Sequence, residues 1–175
     1  QTINVANIAR ETGVARTTVN GYLDILEETL LTFRLHAYEA KLRVRERRLP
    51  KLYWTDPGLV RAVKGQLGEV HAEERGAIFE GLVAQHLRAA MDYFGLCDDI
   101  SYWAPAQSRD TEVDFLLARD GAFVAIEVKS GARFSEEWRR GRRAIGPLKR
   151  LRRRIAVCPS GEPMVTADGI EVMPF

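Results

Sequence analysis

Two segments in which apolar residues alternate with other residues flank the dipeptide Asp120-Gly121. Asp-Gly between two such segments is among the strongest sequence signals for a β-hairpin with a two-residue loop. The sequence therefore predicts strands over 112–118 and 122–129. In that register the numbers of directly opposed residues sum to 241, so that Asp114 is predicted to face Glu127.

The two faces of this hairpin differ in character, because successive side chains of a strand point to opposite sides. The first face is apolar throughout, which predicts a core face, and it comprises Val113, Phe115, Leu117, Val124, Ile126 and Val128. The second face is apolar near the turn, at Leu116, Ala118, Phe123 and Ala125. Away from the turn this second face becomes charged, at Glu112, Asp114, Glu127 and Lys129. The charges are thus predicted to gather at one end of one face.

Two directly opposed carboxylates repel each other, and burial increases the penalty. A divalent cation would remove the repulsion between Asp114 and Glu127, because Mg²⁺ and Mn²⁺ prefer carboxylate and water oxygens. Lys129, next to such a cation, could orient a water or stabilise developing negative charge. These are the parts of metal-assisted phosphodiester hydrolysis. Glu80 lies among apolar residues of a helix predicted over 73–94, where a carboxylate needs a partner or a metal.

The same residues also admit an interpretation without catalysis. Glu112 and Lys129 would then form a surface ion pair, and Asp114 and Glu127 a solvated rim, since surface charges are common and their pairs contribute little. Glu80 would be exposed beside an apolar stripe of its helix.

The start of the chain predicts a winged helix-turn-helix over residues 1–58. Two short apolar-periodic segments lie within 4–26 and are joined by a turn that contains Gly13, which is typical of a helix-turn-helix. Strands predicted over 30–37 and 51–54 enclose a basic segment and suggest a β-hairpin wing.

The remainder, 59–175, is predicted to form a second domain of mixed α/β (α+β) class. Its predicted helices cover 59–67 and 73–94, and another begins at Ser135. Besides the hairpin, short strands are predicted over 100–103, 155–158 and 170–173. From the helix over 73–94 onward, the predicted order is α-β-β-β-α-β followed by one more strand.

This second part resembles the PD-(D/E)xK nuclease-like fold, whose αβββαβ core has the same order. The resemblance is carried by Asp114 and by Glu127-Val128-Lys129 after a helix that bears Glu80, although Val113 stands where the motif has proline. By resemblance, Asp114 and Glu127 would be ligands of Mg²⁺ or Mn²⁺. Lys129 would be the catalytic lysine and Glu80 an additional acidic ligand.

The whole chain is similar to the C-terminal region of a family of prokaryotic AAA-type ATPases. The similarity is carried by the segments 51–59, 76–80, 102–103, 112–115 and 126–129. In that family a P-loop ATPase domain comes first, and the present sequence contains no GxxxxGK[ST] motif. We therefore expect ATP binding only in an N-terminal ATPase domain of the full-length protein. The function would then be shared between that ATPase domain and the present chain. That residue 1 is Gln agrees with this expectation.

Basic residues are unevenly distributed, although 26 Lys+Arg against 24 Asp+Glu give a net charge of only +2. Within 133–154 only Glu136 and Glu137 oppose the bases Arg133, Arg139, Arg140, Arg142, Arg143, Lys149, Arg150, Arg152, Arg153 and Arg154. Arginine makes two-point contacts with phosphate, so a run this dense favours a polyanion such as DNA. We expect DNA contacts above all at Arg139, Arg140, Arg142 and Arg143. The alternative is a merely solvated face.

Further DNA contacts are predicted at Arg16, Thr17 and Asn20, near the start of the second helix of the helix-turn-helix. Three hypotheses follow for the chain as a whole. In the first, the chain is a DNA-binding part of an AAA-type ATPase with a possible metal-dependent nuclease site. In the second, it is a non-catalytic nuclease-fold module that binds nucleic acid or protein and regulates the ATPase. In the third, it is a platform that binds a protein partner through its winged helix.

Other classes of protein are disfavoured. No apolar run approaches the ~20 residues of a membrane span, and no secretory signal precedes the first periodic segment. Cys97 and Cys158 lack metal-ligand spacing and suggest no disulfide framework. We therefore expect a cytoplasmic protein without a membrane partner, and the sequence leaves its oligomeric state open.

Overall fold

The protein is described by a computed structural model that covers residues 2–39, 49–106, 111–131 and 145–175. These residues form a mixed α+β structure with four helices and two sheets. The helices are α1 (Val5–Thr12), α2 (Arg16–Glu28), α3 (Pro57–Val63) and α4 (Ala72–Phe94). The strands are β1 (Thr32–Leu35), β2 (Lys51–Trp54), β3 (Asp99–Trp103), β4 (Val113–Arg119), β5 (Ala122–Val128), β6 (Leu151–Cys158), β7 (Met164–Val165) and β8 (Glu171–Pro174). In the ranges covered, no helix is long and apolar enough to cross a bilayer.

The predicted pair of N-terminal helices is confirmed. α1 begins after Asn4, whose side chain accepts a hydrogen bond from the Asn7 N–H over 3.2 Å. The helix ends at Gly13, where φ is +69°, a left-handed conformation that glycine adopts without steric cost. α2 begins three residues later, and its buried Val19 and Leu23 pack against Ala9 of α1.

β1 and β2 form a separate two-stranded antiparallel sheet in which Phe33 lies opposite Tyr53. The two rings stack with their centroids 5.6 Å apart. The wing predicted between these strands falls mostly on 40–48, outside the described residues. So does the start of the helix predicted from Ser135, together with Arg139, Arg140, Arg142 and Arg143.

The second sheet has the strand order β3-β4-β5-β6-β8-β7 among the residues covered. β3, β4 and β5 pair antiparallel, whereas β5 pairs parallel with β6, and β6 parallel with β8. The predicted hairpin register is confirmed over the paired residues, from Phe115↔Ile126 to Arg119↔Ala122. Its loop residues Asp120 and Gly121 have φ of +51° and +69°, as a type I′ turn requires.

Both faces of β4 and β5 are buried. On one face α4 contributes Val83 and Ala84 to a core that also contains Phe115, Ile126 and Val128. On the opposite face the buried cluster consists of Trp103, Val113, Leu116, Ala125, Ile145 and Leu148. The prediction that Val113 shares a face with Phe115 is therefore wrong.

A β-bulge in β4 explains this difference. Ser101 pairs with Leu116, but Trp103, two residues later in β3, pairs with Val113, three residues earlier in the antiparallel β4. Asp114 and Phe115 thus both lie opposite the single residue Tyr102, and the strict alternation of β4 is interrupted there. A bulge changes the direction of side chains at the bulged positions, and Asp114 is one of them here.

Candidate functional site

β2 carries a lysine into the interior of the protein. Lys51 and Tyr53 alternate with Leu52 and Trp54, so both point to the side on which α4 and β4 lie. Lys51 is only 3% exposed and Tyr53 only 5%. The Lys51 ammonium also lies 5.3 Å from the centroid of the Tyr102 ring, within the range of a cation–π contact.

The ammonium of Lys51 is surrounded by carboxylates. Its Nζ lies 3.0 Å from Glu80 Oε1 and 3.5 Å from Asp114 Oδ1, and it also forms an ion pair with Glu112. Glu80 comes from α4, whereas the other two acids lie at the start of β4 and immediately before it. One buried ammonium therefore neutralises acids from two different elements, and we call Lys51 with these three carboxylates the Lys51 cluster.

Tyr53 completes the Lys51 cluster on the α4 side, because its hydroxyl donates a hydrogen bond to Glu80 Oε1. Burial favours the protonated form of Glu80, but the Lys51 charge and the Tyr53 hydrogen bond outweigh burial and lower the pKa of Glu80. Burial is also the main cause that raises the pKa of Tyr53. Glu80 is thus held ionised and Tyr53 is held protonated, as a donor.

The pKa of Asp114 is shifted in the opposite direction to that of Glu80. Burial, followed by the charge of Glu80, raises the pKa of Asp114 to about 7, although Lys51 and a hydrogen bond from the Val128 N–H favour its ionised form. For Lys51 itself, burial lowers the pKa, but the charges of Asp114, Glu80 and Glu112 together raise it well above its usual value. Lys51 therefore remains a cation at neutral pH, while Asp114 titrates there.

Glu127 and Lys129 follow each other at the end of β5. Ile126 and Val128 pack into the α4 core, so Glu127 lies on the other face of the sheet, where Ala125 is buried. Lys129 Nζ lies 2.6 Å from Glu127 Oε1, and the Glu127 side chain is only 6% exposed. The hairpin places the predicted E-x-K pair in direct contact.

Asp114 and Glu127 are the predicted opposed carboxylates, but the paired register described for β4 and β5 ends at Phe115↔Ile126. Beyond that pair, Asp114 Oδ2 accepts a 2.8 Å hydrogen bond from the Val128 N–H. The bulge thus points the Asp114 carboxylate at the β5 backbone and at Lys51. The described ion pairs join Glu112 to Lys51 and Lys129 to Glu127.

The donor atoms of the Lys51 cluster suit Mg²⁺ or Mn²⁺, because all three acids offer carboxylate oxygens. Over the described ranges, however, no group of three or more Asp, Glu, His or Cys residues is arranged to hold a metal ion. The Lys51 ammonium lies where its carboxylate partners converge. In this arrangement the residues do not fit a divalent cation, and a metal held by Glu80, Asp114 and Glu127 remains a prediction.

A cavity of about 360 Å³ adjoins the Lys51 cluster between β2, α3 and the first half of α4. Its apolar wall is formed by Leu52, Trp54, Pro57, Val60, Ala77 and Ile78. Glu80 also lines this cavity, and its side chain is 26% exposed. The Glu80 carboxylate therefore both forms an ion pair with Lys51 and lines the cavity.

The predicted DNA contacts on α2 lie at the surface. Arg16, Thr17 and Asn20 are all exposed on the first two turns, whereas Val19 on the opposite side of the helix is buried. In the described part of the basic run, Lys149, Arg150 and Arg152 are exposed as well. The other two arginines have internal partners: Arg153 pairs with Glu171, and Arg154 donates to the Asp168 carbonyl.

Lys51 is a site residue that was not predicted from the sequence, where it is only the first residue of the strand predicted over 51–54. One signal was available. Lys51 and Tyr53 are two positions apart in a short strand that is otherwise apolar, so both side chains are predicted to lie on the same, inward-facing side of the strand.

The fold and the Lys51 cluster define a mixed α+β protein in which a lysine from a small N-terminal sheet neutralises acids of a larger α/β unit. Residues 75–175 match the family model "Domain of unknown function (DUF4143)", and the chain belongs to this family. The domain is found in AAA-ATPase-associated proteins. Residues 1–69 match a second model, "Domain of unknown function (DUF8612)".

Two curated relatives come from mycobacteria. They are "Uncharacterized protein Mb2031c" of Mycobacterium bovis and "Uncharacterized protein Rv2008c" of Mycobacterium tuberculosis. Each is 32% identical over 132 residues, which is 74% of this chain and 29% of the relative. The matched part thus spans less than a third of the relatives' length. No solved structure matches the chain.

Proposed function

We propose that this chain is the DNA-binding C-terminal part of an AAA-type ATPase. Its residues 1–58 would form a winged helix-turn-helix, and residues 59–175 a PD-(D/E)xK nuclease-like domain that acts as a non-catalytic module. The observation that carries the proposal is the exposed polar start of α2, with Arg16, Thr17 and Asn20 side by side over a buried apolar face.

The order of the elements supports both parts of this assignment. α1, a tight turn and α2 are followed by the antiparallel pair β1 and β2, as in a helix-turn-helix with a wing. α4 is followed by three antiparallel strands, and β6 then pairs parallel with β5, as expected of an αβββαβ core.

The chemistry of the α2 residues suits a DNA backbone. The Arg16 guanidinium can make two-point contacts with phosphate, while Thr17 and Asn20 offer hydrogen bonds to phosphates or base edges. Recognition helices of this class contact DNA with the residues of their N-terminal half. Exposed Lys149, Arg150 and Arg152 would add phosphate contacts that do not depend on base sequence.

A non-catalytic module is favoured by the Lys51 cluster. Glu80 and Asp114, two of the three acids predicted for metal binding, are already ion-paired with Lys51. The domain would then use its sheet as a scaffold for contact with DNA and with the ATPase domain, and so regulate the ATPase.

Fluorescence anisotropy with a labelled DNA duplex tests the proposal. We expect Arg16→Ala and Asn20→Ala to weaken binding at least several-fold, and Arg10→Ala, an exposed arginine of α1, to serve as the matched control with little effect. With ~6 phosphates neutralised, affinity should fall roughly 10³-fold between 50 and 200 mM salt. No binding at low salt would contradict the proposal and favour a protein partner instead.

A second candidate function, metal-dependent phosphodiester hydrolysis, is favoured by one specific observation. The carboxylate of Glu127 and the ammonium of Lys129 are in direct contact, at 2.6 Å, as the E-x-K pair of a nuclease site would be. A plasmid-nicking assay with Mg²⁺ or Mn²⁺ decides between the two candidates. Cleavage by the wild type that is lost in Lys129→Ala would support hydrolysis, whereas equal cleavage by both proteins would exclude Lys129 from it.

A further inference from the structure

We propose that the cavity between β2, α3 and the first half of α4 binds a small neutral molecule with a planar ring and a cyclic amide edge, the chemistry of a nucleobase. The proposal goes beyond the proposed function, because it concerns a free small molecule and requires neither DNA contact nor cleavage.

The size and the wall of this cavity carry the first step. Its volume of about 360 Å³ lies at the lower end of the range in which small-molecule sites fall. The apolar wall includes the Trp54 indole and the Pro57 ring, next to the aliphatic side chains of Leu52 and Val60. Aromatic side chains pack well against planar rings. The cavity therefore suits a compact ligand with a planar ring.

The charges around the cavity carry the second step. The charged side chains in its lining are Arg61, Lys64, Glu73, Glu74 and Glu80. Lys64 pairs with Glu74, and Glu80 pairs with Lys51. An anion would face three carboxylates, while a cation would lie beside a guanidinium and an ammonium. A neutral ligand meets neither repulsion, and its polar groups need only hydrogen-bond partners.

Two buried polar atoms carry the third step. Within the described ranges, neither Arg61 Nε nor Gln66 Oε1 has a hydrogen-bond partner. Other atoms of the same side chains are held in place. Arg61 Nη2 donates to the Gly68 carbonyl, and the Gln66 amide donates to Glu74. One donor and one acceptor are thus left over, and buried groups of this kind are unfavourable until they are paired.

A cyclic amide matches this donor and this acceptor. Its ring N–H can donate to Gln66 Oε1, and its carbonyl oxygen can accept from Arg61 Nε. The two residues meet in the turn after α3, where the Gln66 N–H donates to the Arg61 carbonyl over 2.8 Å. Both side chains line the cavity, so a small rotation of their planar ends presents both atoms to a ligand. Adjacent donor and acceptor atoms are what the base-pairing edge of a nucleobase offers.

Titration calorimetry of the whole chain with uridine and with 3-methyluridine tests the proposal. The two nucleosides differ at the ring N–H, which 3-methyluridine lacks. We expect uridine to bind in the submillimolar range and 3-methyluridine about fivefold more weakly. No binding of uridine would overturn the proposal, and so would equal binding of the two nucleosides.

A variant of the acceptor assigns this preference to one side chain. Gln66→Ala should bind uridine more weakly and should no longer distinguish it from 3-methyluridine. The matched control is Gln85→Ala on α4, a glutamine outside the lining of the cavity, which should keep the preference of the wild type. A preference that survives Gln66→Ala would contradict the assigned hydrogen bond.

A cavity-filling pair of variants tests the location. Ala77 is an exposed residue of α4 in the cavity wall, so Ala77→Leu should fold and should weaken uridine binding at least tenfold. Ala62→Leu, at an exposed position of α3 outside the lining, should bind like the wild type. Uridine binding by Ala77→Leu as tight as that of Ala62→Leu would overturn the proposal. Neither nucleoside carries a phosphate, so failure of DNA binding and failure of nucleoside binding are distinguishable.

Discussion

The backbone N–H of Val128 donates a 2.8 Å hydrogen bond to Asp114 Oδ2, just beyond the last described pair of the β4–β5 ladder. A side-chain oxygen thus takes the place of a backbone acceptor where the bulge interrupts β4. Because asparagine can accept the same hydrogen bond through its amide oxygen, the charge of Asp114 can be removed without loss of this contact.

We expect Asp114→Asn to gain stability relative to the wild type as the pH rises from 5 to 8. Burial and the charge of Glu80 raise the pKa of Asp114 to about 7, against ~3.9 in an unfolded chain. Between these values the folded protein binds more protons than the unfolded chain, so this residue's contribution to the free energy of unfolding falls as the pH rises. Thermal melts of both proteins at the two pH values measure the effect.

The matched control for that experiment is Asp92→Asn, on an exposed part of α4. We expect its melting temperature to follow that of the wild type at both pH values. A difference between Asp114→Asn and the wild type that is the same at pH 5 and pH 8 would contradict the burial of the Asp114 carboxylate.

Removal of the buried ammonium should be strongly destabilising. Lys51→Ala leaves three acids without their cation, and loss of one partner of a buried ion pair typically costs about 3–5 kcal/mol. Urea denaturation measures the loss, with Lys64→Ala as the control, for which we expect a much smaller effect because its ion pair is exposed. Equal losses in the two variants would show that the Lys51 cluster contributes no more than a surface pair.

The type I′ turn gives a prediction about the hairpin. Gly121 has φ +69°, and a Cβ at this position would lie 2.8 Å from Arg150 Nη1, the mobile end of a long side chain. Backbone strain is therefore the main cost, and we expect Gly121→Ala to lower the free energy of unfolding by about 1 kcal/mol. The same substitution at Gly21, in the exposed part of α2 with nothing near its would-be Cβ, should instead be stabilising. A loss at Gly21 as large as that at Gly121 would contradict the turn assignment.

Arg153 and Glu171 join β6 to β8 through two hydrogen bonds of 2.8 and 2.6 Å. Both side chains are about a third exposed or more, at 48% and 31%, so solvent screens the pair. A double-mutant cycle with Arg153→Ala and Glu171→Ala should give a coupling energy below about 1 kcal/mol that decreases with added salt. A coupling that is larger and insensitive to salt would mean that the pair is shielded from solvent.

The hairpin could be predicted from the sequence because its determinants are local. Asp-Gly supplies the two positive φ values, and apolar alternation specifies the register up to Phe115. The facing of Val113 and Asp114 could not be predicted. It depends on a bulge that arises where β4 pairs with β3, and the sequence of β4 contains no residue that would predict this bulge.

The partners of Glu80 likewise could not be identified from the sequence. The prediction that this carboxylate needs a partner is confirmed, and its partners are Lys51 and Tyr53. Lys51 lies 29 positions away, and lysine is a residue that is almost never buried without compensation. Only the three-dimensional contact between β2 and α4 reveals it.

β7 could not be predicted from the sequence either, because a strand of two residues is too short to show a periodic pattern.

Lys51 lies in the range 1–69 and the three acids lie in the range 75–175, which match different family models. The negative charge of one part of the chain is therefore compensated by a positive charge from the other part. A polypeptide cut near residue 70 would leave the C-terminal piece with three acids and no counter-charge, and would expose a lysine on the N-terminal piece. Exchange of either piece between relatives would succeed only where the incoming piece brings the complementary charge. A change of charge at Lys51 in one part therefore has to be compensated in the other part of the chain.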